Sequence, residues 1–97
     1  FKADKKLYKL DLDKILYLQA FGDYVRIVTA EKSYLTKDRL SNIEEKLPEQ
    51  DFLKIHRSYI VGLRAVQYIE GNQAKVGEAL IPISLTYRDL LIERIKE

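Results

Sequence analysis

Three consecutive polar residues, His56, Arg57 and Ser58, interrupt an apolar run that starts at Phe52 and resumes at Tyr59-Ile60-Val61. His56 could serve as a general base, and Ser58, two residues on, would share its face on an extended strand. A hydrolytic site also needs an activated nucleophile and a group that orients the base. No Gly-x-Ser-x-Gly turn and no phosphate-cradling glycine loop accompany the pair. The chain has no cysteine and one histidine, which excludes disulfides and thiol chemistry and argues against a zinc site. No cofactor is expected, and catalysis is not the expected role. Recognition fits the triplet better. Arginine can hold guanine bidentately, histidine can donate to base acceptors and serine can donate to phosphate. The plainer alternative is a polar turn whose arginine pairs with an acidic neighbour, and composition alone favours it.

The elements that must position such a turn can be read from periodicity. The chain has 97 residues, 46% hydrophobic and 33% charged, with a net charge of +2. That suits one small globular domain, over 1–97, with a well-solvated surface. The mild positive charge permits nucleic-acid binding without pointing to it. No apolar run is long enough to cross a bilayer and no signal peptide is visible, so a cytoplasmic location is expected. The chain opens at Phe1 without methionine, which suggests a piece of a longer protein.

Alternation at Leu7, Leu10 and Leu12 predicts a first strand. Ile15 to Leu18 reads as a strand buried on both sides, Gly22-Asp23 as a turn, and Tyr24 to Thr29 as the return strand. Ser33 to Thr36 forms another strand after a turn at 30–32. Leu40, Ile43 and Leu47 then fall at helical spacing, with Asp38 as the expected N-cap and Pro48 as the stop. Strands resume at Phe52 to Ile55, at Tyr59 to Val61 and at Val66 to Ile69. Gly71-Asn72 and Gly77-Glu78 bracket a short strand at Ala74 to Val76, and Ala79 to Ile83 is the last. Thr86 through Asp89 has capping-box spacing, and Tyr87, Leu90, Leu91 and Ile95 are expected to line the buried face of a terminal helix. The expected fold is mostly β: small antiparallel sheets packed as an elongated sandwich, with one short internal helix and one C-terminal helix.

Taken together, several segments resemble the LytTR DNA-binding domain of bacterial response regulators. They are Ile15-Leu16-Tyr17-Leu18-Gln19-Ala20, Gly22-Asp23-Tyr24-Val25, Leu40 through Leu47-Pro48, Phe52, His56-Arg57-Ser58-Tyr59-Ile60-Val61, and Ile81-Pro82-Ile83-Ser84. Their order and spacing match the family over roughly positions 7 to 95. The resemblance implies a domain that reads duplex DNA, as direct repeats, through loops. It also implies an upstream receiver domain, a cognate histidine kinase acting on that receiver, and no membrane partner. Three segments are implied to approach DNA. They match Gly22-Asp23-Tyr24, His56-Arg57-Ser58, and the stretch after Ser84 with Leu85, Thr86 and Arg88.

Individual residues carry alternatives. Asp23 either accepts from a cytosine amino group or sets the loop's shape. Tyr24 belongs to an implied DNA-facing segment, yet its place in an apolar strand, like that of Tyr17, favours core packing. Lys37, just before the internal helix, either meets phosphate or is solvated, and Arg39 and Lys54 share that choice. Leu85 stands where the family often has a polar residue. It either tucks under the terminal helix against Leu90 or Leu91, or projects and meets a thymine methyl. The second is expected, because the helix already has its apolar face. Gly62 replaces a common asparagine, with no more than an altered turn expected. A protein-interaction or ligand-sensing module that does not bind DNA is the competing function.

Overall fold

The computed structural model describes residues 1–96, and its strands follow the apolar alternation closely. The chain runs β1 (Lys2–Ala3), β2 (Lys6–Leu7), β3 (Ile15–Phe21), β4 (Tyr24–Thr29), β5 (Ser33–Lys37), α1 (Leu40–Glu44), β6 (Phe52–His56) and β7 (Tyr59–Gly62). It continues through β8 (Val66–Glu70), β9 (Gln73–Val76), β10 (Ala79–Pro82) and α2 (Leu85–Lys96). Short 3-10 turns at Leu12–Lys14 and Leu63–Ala65 lead into β3 and β8.

All strand pairing is antiparallel among the described residues. A five-stranded sheet has the order β5-β4-β3-β7-β6, and a three-stranded sheet the order β10-β9-β8. The molecule measures 39 × 23 × 22 Å, the elongated sandwich expected from the sequence. The β3–β4 turn places glycine, with φ 61°, at the first of its two central residues, the position that admits positive φ at no steric cost.

Period-two alternation sends the two faces of the larger sheet into separate cores. Ile15, Leu18, Val25, Ile27, Phe52 and Ile60 pack with Leu40 of α1 on one side. Ile55 and Val61 pack on the other with Ala74, Val76 and Ile81 of the small sheet and Leu91 of α2. β3 is thus enclosed on both faces, as its dense apolar run predicts. β4 and β5 extend beyond the small sheet, so one of their faces stays open.

Four expectations are corrected. Beyond Leu7, the last residue of β2, the segment to Leu12 is not a strand. A tight hairpin, β1–β2, precedes it, turning at Asp4 and Lys5 with both at positive φ, and it packs beside the β5 edge. The alternation there instead places Leu10 against the first core. The internal helix stops at Glu44, with Lys46 N–H and Leu47 N–H bonding to Ile43 and Glu44 carbonyls in a tightened last turn. Asp38 does not occupy the N-cap, which falls at Arg39. Its carboxylate accepts from Arg39 N at 2.7 Å and Asn42 Nδ2 at 3.1 Å, so it fastens the helix start from one residue further out. Finally, α2 begins at Leu85, with Tyr87 N–H bonding to the Ser84 carbonyl at 2.9 Å. Thr86 therefore lies inside the first turn and not at the cap. Leu90 and Ile95 face outward (43% and 38% exposed) and do not line the buried face, and Leu91 is the fully buried residue of that helix.

Gly62 does more than shape a turn. Its φ of −76° is open to any residue, so its requirement is spatial. A Cβ there would sit 2.8 Å from the Ile15 carbonyl oxygen and 3.4 Å from that of Leu16. Both are backbone atoms that cannot move aside without disturbing β3. Gly62→Ala is expected to destabilise the fold by about 1–3 kcal/mol, the usual range for overpacking. Chemical denaturation of both forms measures this, and an unchanged midpoint would show that β7 can shift outward freely.

Candidate nucleic-acid interface

The β6–β7 turn is built by two residues, Arg57 and Ser58, with His56 and Tyr59 paired at its base. The ladder shifts between Lys54 and His56, leaving Ile55 as the extra residue of a bulge. That bulge performs two tasks. The Ile55 side chain is fully buried in the second core, and its carbonyl accepts from Ser84 N–H at 2.9 Å. On the other side, Ser58 carbonyl accepts from Ala20 N–H at 2.8 Å. The turn is therefore bonded to β3 just before the Gly22 loop and to the residue just before α2. The three segments singled out in the sequence are joined through main-chain groups.

His56 is held inside this frame. Its Nδ1 accepts from Ser58 N–H at 3.1 Å, and its ring meets Tyr59 edge-on at 5.7 Å. Tyr59 Oη in turn accepts from Gln19 Nε2 at 3.0 Å. With Nδ1 accepting, the neutral ring carries its proton on Nε2, so its remaining function is that of a donor. Arg57 at the tip is exposed, while Ser58 is half-buried with both main-chain groups engaged.

A groove opens beside this turn. Gly22, Asp23 and Tyr24 line one side, Lys37 and Arg39 another, and Lys54 and Arg57 the third. Four cationic side chains thus surround a concavity with two carboxylates, Asp23 and Asp38. Asp38 is already committed: the N–H of Arg39 and the amide of Asn42, with Lys46 nearby, hold its carboxyl below the usual range. Tyr24 is 44% exposed and belongs to this groove, which corrects the expectation of core packing. Val25 and Ile27 take the buried face, so alternation turns Tyr24 outward. Tyr17 is half-buried against the second core, as expected.

At the α2 end, Leu85 is 77% exposed and does not tuck beneath the helix. Thr86 is exposed as well. Arg88 is half-buried and donates from Nε to the Gly71 carbonyl at 2.9 Å, so part of its guanidinium braces the β8–β9 turn. The structure therefore gathers Asp23, Tyr24, Lys37 and Arg57 into one groove. His56 and Ser58 form the adjoining turn, with Leu85 and Thr86 tethered to it through Ser84. Arg39 and Lys54, for which the sequence left phosphate contact and solvation both open, also line the groove. The available signal for Lys54 was its place two residues ahead of His56 on the same strand.

A model of the LytTr DNA-binding domain matches residues 5–96. The chain belongs to this family. Sensory transduction protein LytT of Bacillus subtilis is 32% identical, over 80% of this chain and 35% of its own length. Sensory transduction protein LytR of Staphylococcus epidermidis is 35% identical over 71% of the chain and 27% of its own length. The haem-containing CO-sensing transcriptional regulator RcoM 1 of Paraburkholderia xenovorans is 39% identical over 67% of the chain and 25% of its own. The LytTr domain here spans about a third of the length of the LytT relatives it matches. A solved LytTr DNA-binding domain of a DNA response regulator from Bacillus cereus superimposes with a TM-score of 0.84, covering 99% of this chain and 94% of that one at 20% identity. That likeness establishes the shared LytTr fold.

The His56 geometry separates a holding role from a contacting role. His56→Ala removes the acceptor for Ser58 N–H and is expected to lower stability by about 1 kcal/mol, the net worth of such a bond. In His56→Asn the amide oxygen can replace Nδ1, so most of that stability should return while the Nε2 donor is lost. Thermal melts of the three proteins measure the difference, and equal melting temperatures for the alanine and asparagine forms would remove the holding role.

Proposed function

We propose that this LytTr domain binds duplex DNA sequence-specifically as the output domain of a bacterial two-component transcription regulator. The observation that carries this reading is the pair of main-chain bonds, Ala20 N–H to Ser58 and Ser84 N–H to Ile55, that lock three exposed polar segments beside one basic groove. A binding surface held on backbone bonds spends little ordering entropy when it meets its partner. Lys37, Arg57 and the free part of Arg88 neutralise phosphates, with Arg39 and Lys54 adding to that field. His56 and Arg57 donate to base edges, Ser58 and Thr86 donate to the backbone, Tyr24 packs on the sugar-phosphate edge, and Leu85 meets a thymine methyl. Asp23 either accepts from a cytosine amino group or shapes the loop. The domain's 39 Å length exceeds one helical turn, about 34 Å, so its ends can enter successive major grooves and favour direct repeats.

The relatives named LytT and LytR are called sensory transduction proteins, which supports an upstream receiver served by a histidine kinase in the cytoplasm. The relatives named RcoM are called CO-sensing or CO-responsive transcriptional regulators, which supports a role in transcription and leaves the signal to vary between relatives.

Titration against promoter duplexes at several salt concentrations tests the reading. Log affinity should fall linearly with log salt, by roughly one unit of slope per phosphate neutralised. Arg57→Ala should lose about 1–3 kcal/mol of binding with an unchanged melt, because the side chain is exposed. A melt lowered as much as binding would make Arg57 structural, and no binding at low salt would overturn the function. Leu85→Arg should leave stability within about 0.5 kcal/mol, as exposed substitutions do. Selection from randomised duplexes should then shift one end of the preferred site from T toward G, and an unchanged selected sequence would remove Leu85 from base recognition.

A further inference from the structure

One face of the larger sheet is only partly covered. The register sets Phe21, Tyr24 and Lys37 side by side in one row, and Gln19, Arg26 and Leu35 in the next. Toward β7 the second core covers this face, at Tyr17, Tyr59 and Val61. Toward β5 it is open: Phe21 is 48% exposed and Leu35 42%. A sheet face left to water ordinarily alternates to polar residues. Here the outward positions hold Phe21, Tyr24, Val28 and Leu35, the kind of patch that marks an interaction site. The charge within the two rows is of one sign. Arg26 and Lys37 stand there and no carboxylate does. Asp23 and Glu31 fall in the turns at the two ends. Beyond β5 the β1–β2 hairpin brings Lys2 and Lys5, with Asp4, alongside Leu35 and Lys37. The Arg26 guanidinium lies over the Phe21 ring, 4.9 Å from its centroid. Stacking holds the planar fork in place without using its N–H donors.

We propose that this open face docks an acidic protein segment that carries bulky apolar side chains. The apolar groups cover Phe21, Val28 and Leu35, and the carboxylates meet Arg26 and Lys37. Aromatic and arginine side chains gathered in one patch are the groups that carry most of the energy of protein interfaces. A cationic partner would face like charge. A single nucleic-acid strand would stack on Phe21 and Tyr24, but Arg26 already covers one face of the Phe21 ring. Leu35 and Val28 offer no stacking plane. Phe21, Arg26 and Leu35 lie outside the lining of the groove beside Arg57, while Tyr24 and Lys37 border both. Docking here therefore does not require that the groove bind DNA.

The test titrates a synthetic peptide of four Leu-Glu-Glu-Leu repeats into the isotopically labelled chain. Saturable amide shifts centred on Phe21, Arg26, Val28 and Leu35 are expected, with much weaker shifts from repeats of Leu-Lys-Lys-Leu or Ser-Glu-Glu-Ser. Leu35→Ser, at an exposed position, should keep its melting temperature and bind the peptide several-fold more weakly. Arg26→Glu should weaken the peptide on the order of tenfold through reversed charge. Arg26→Lys should weaken it less, since lysine keeps the charge and loses the stacked fork. Duplex affinity of Leu35→Ser should be unchanged, so failure of the docking site and failure of the DNA reading are told apart. No binding of the acidic peptide, equal binding of the cationic one, or shifts centred on the groove at Arg57 would overturn the site. So would full peptide affinity in both Leu35→Ser and Arg26→Glu. Preferential binding of oligothymidylate at the same amides would give the face to a nucleic-acid strand. Concentration-dependent shifts there without peptide would give it to a second copy, and either result overturns the acidic partner.

Discussion

The candidate recognition end of this LytTr domain depends on main-chain hydrogen bonds that tie the β6–β7 turn to its neighbours. Ser58 carbonyl is taken by β3 and Ile55 carbonyl by the residue before α2. Neither bond involves a side chain, so the tips at Asp23, Arg57 and Leu85 can change chemistry without dissolving the frame. The bulge at Ile55 makes this arrangement workable. It keeps one residue's side chain in the core while presenting its carbonyl to a different element.

The buried architecture was largely legible from alternation. Ile15 to Leu18 reads as a strand enclosed on both sides, and the two separate cores explain why. Elsewhere local pattern and tertiary context disagreed. Leu7, Leu10 and Leu12 alternate as a strand would, but the turn that competes for this segment uses Asp4 and Lys5 at positive φ, where glycine would have announced it. Thr86 and Asp89 carry the capping-box letters, yet the helix start is set by Ser84 bonding back to Ile55, a contact some thirty residues away in sequence. Such a bond has no local signature.

The candidate interface was legible in kind and less so in extent. His56, Arg57 and Ser58 stood out because polar residues broke an apolar run. Lys54 and Arg39 stayed open between phosphate contact and solvation, since a lone cation on a strand or at a helix start is ordinary. Only the register that pairs β6 with β7, and β7 in turn with β3, and the loop that returns α1 past β5, bring them to the same groove. Tyr24 was misjudged for a related reason. Its strand is apolar as a whole, but a two-period element has a face for each neighbour, and Val25 and Ile27 had claimed the buried one.

The β1–β2 hairpin packed beside β5 has a consequence for how copies of this domain can crowd together. A five-stranded sheet ending in an uncovered strand offers unpaired main-chain groups to any neighbour with a similar edge, the geometry from which aggregates grow. Here that border carries a short, lysine-bearing flap (Lys2, Lys5 and Lys6) that is too brief to template a further strand. Domains set close together along one polymer can therefore stand side by side as separate units, with their sheets kept from fusing by a few charged residues at the N-terminal border.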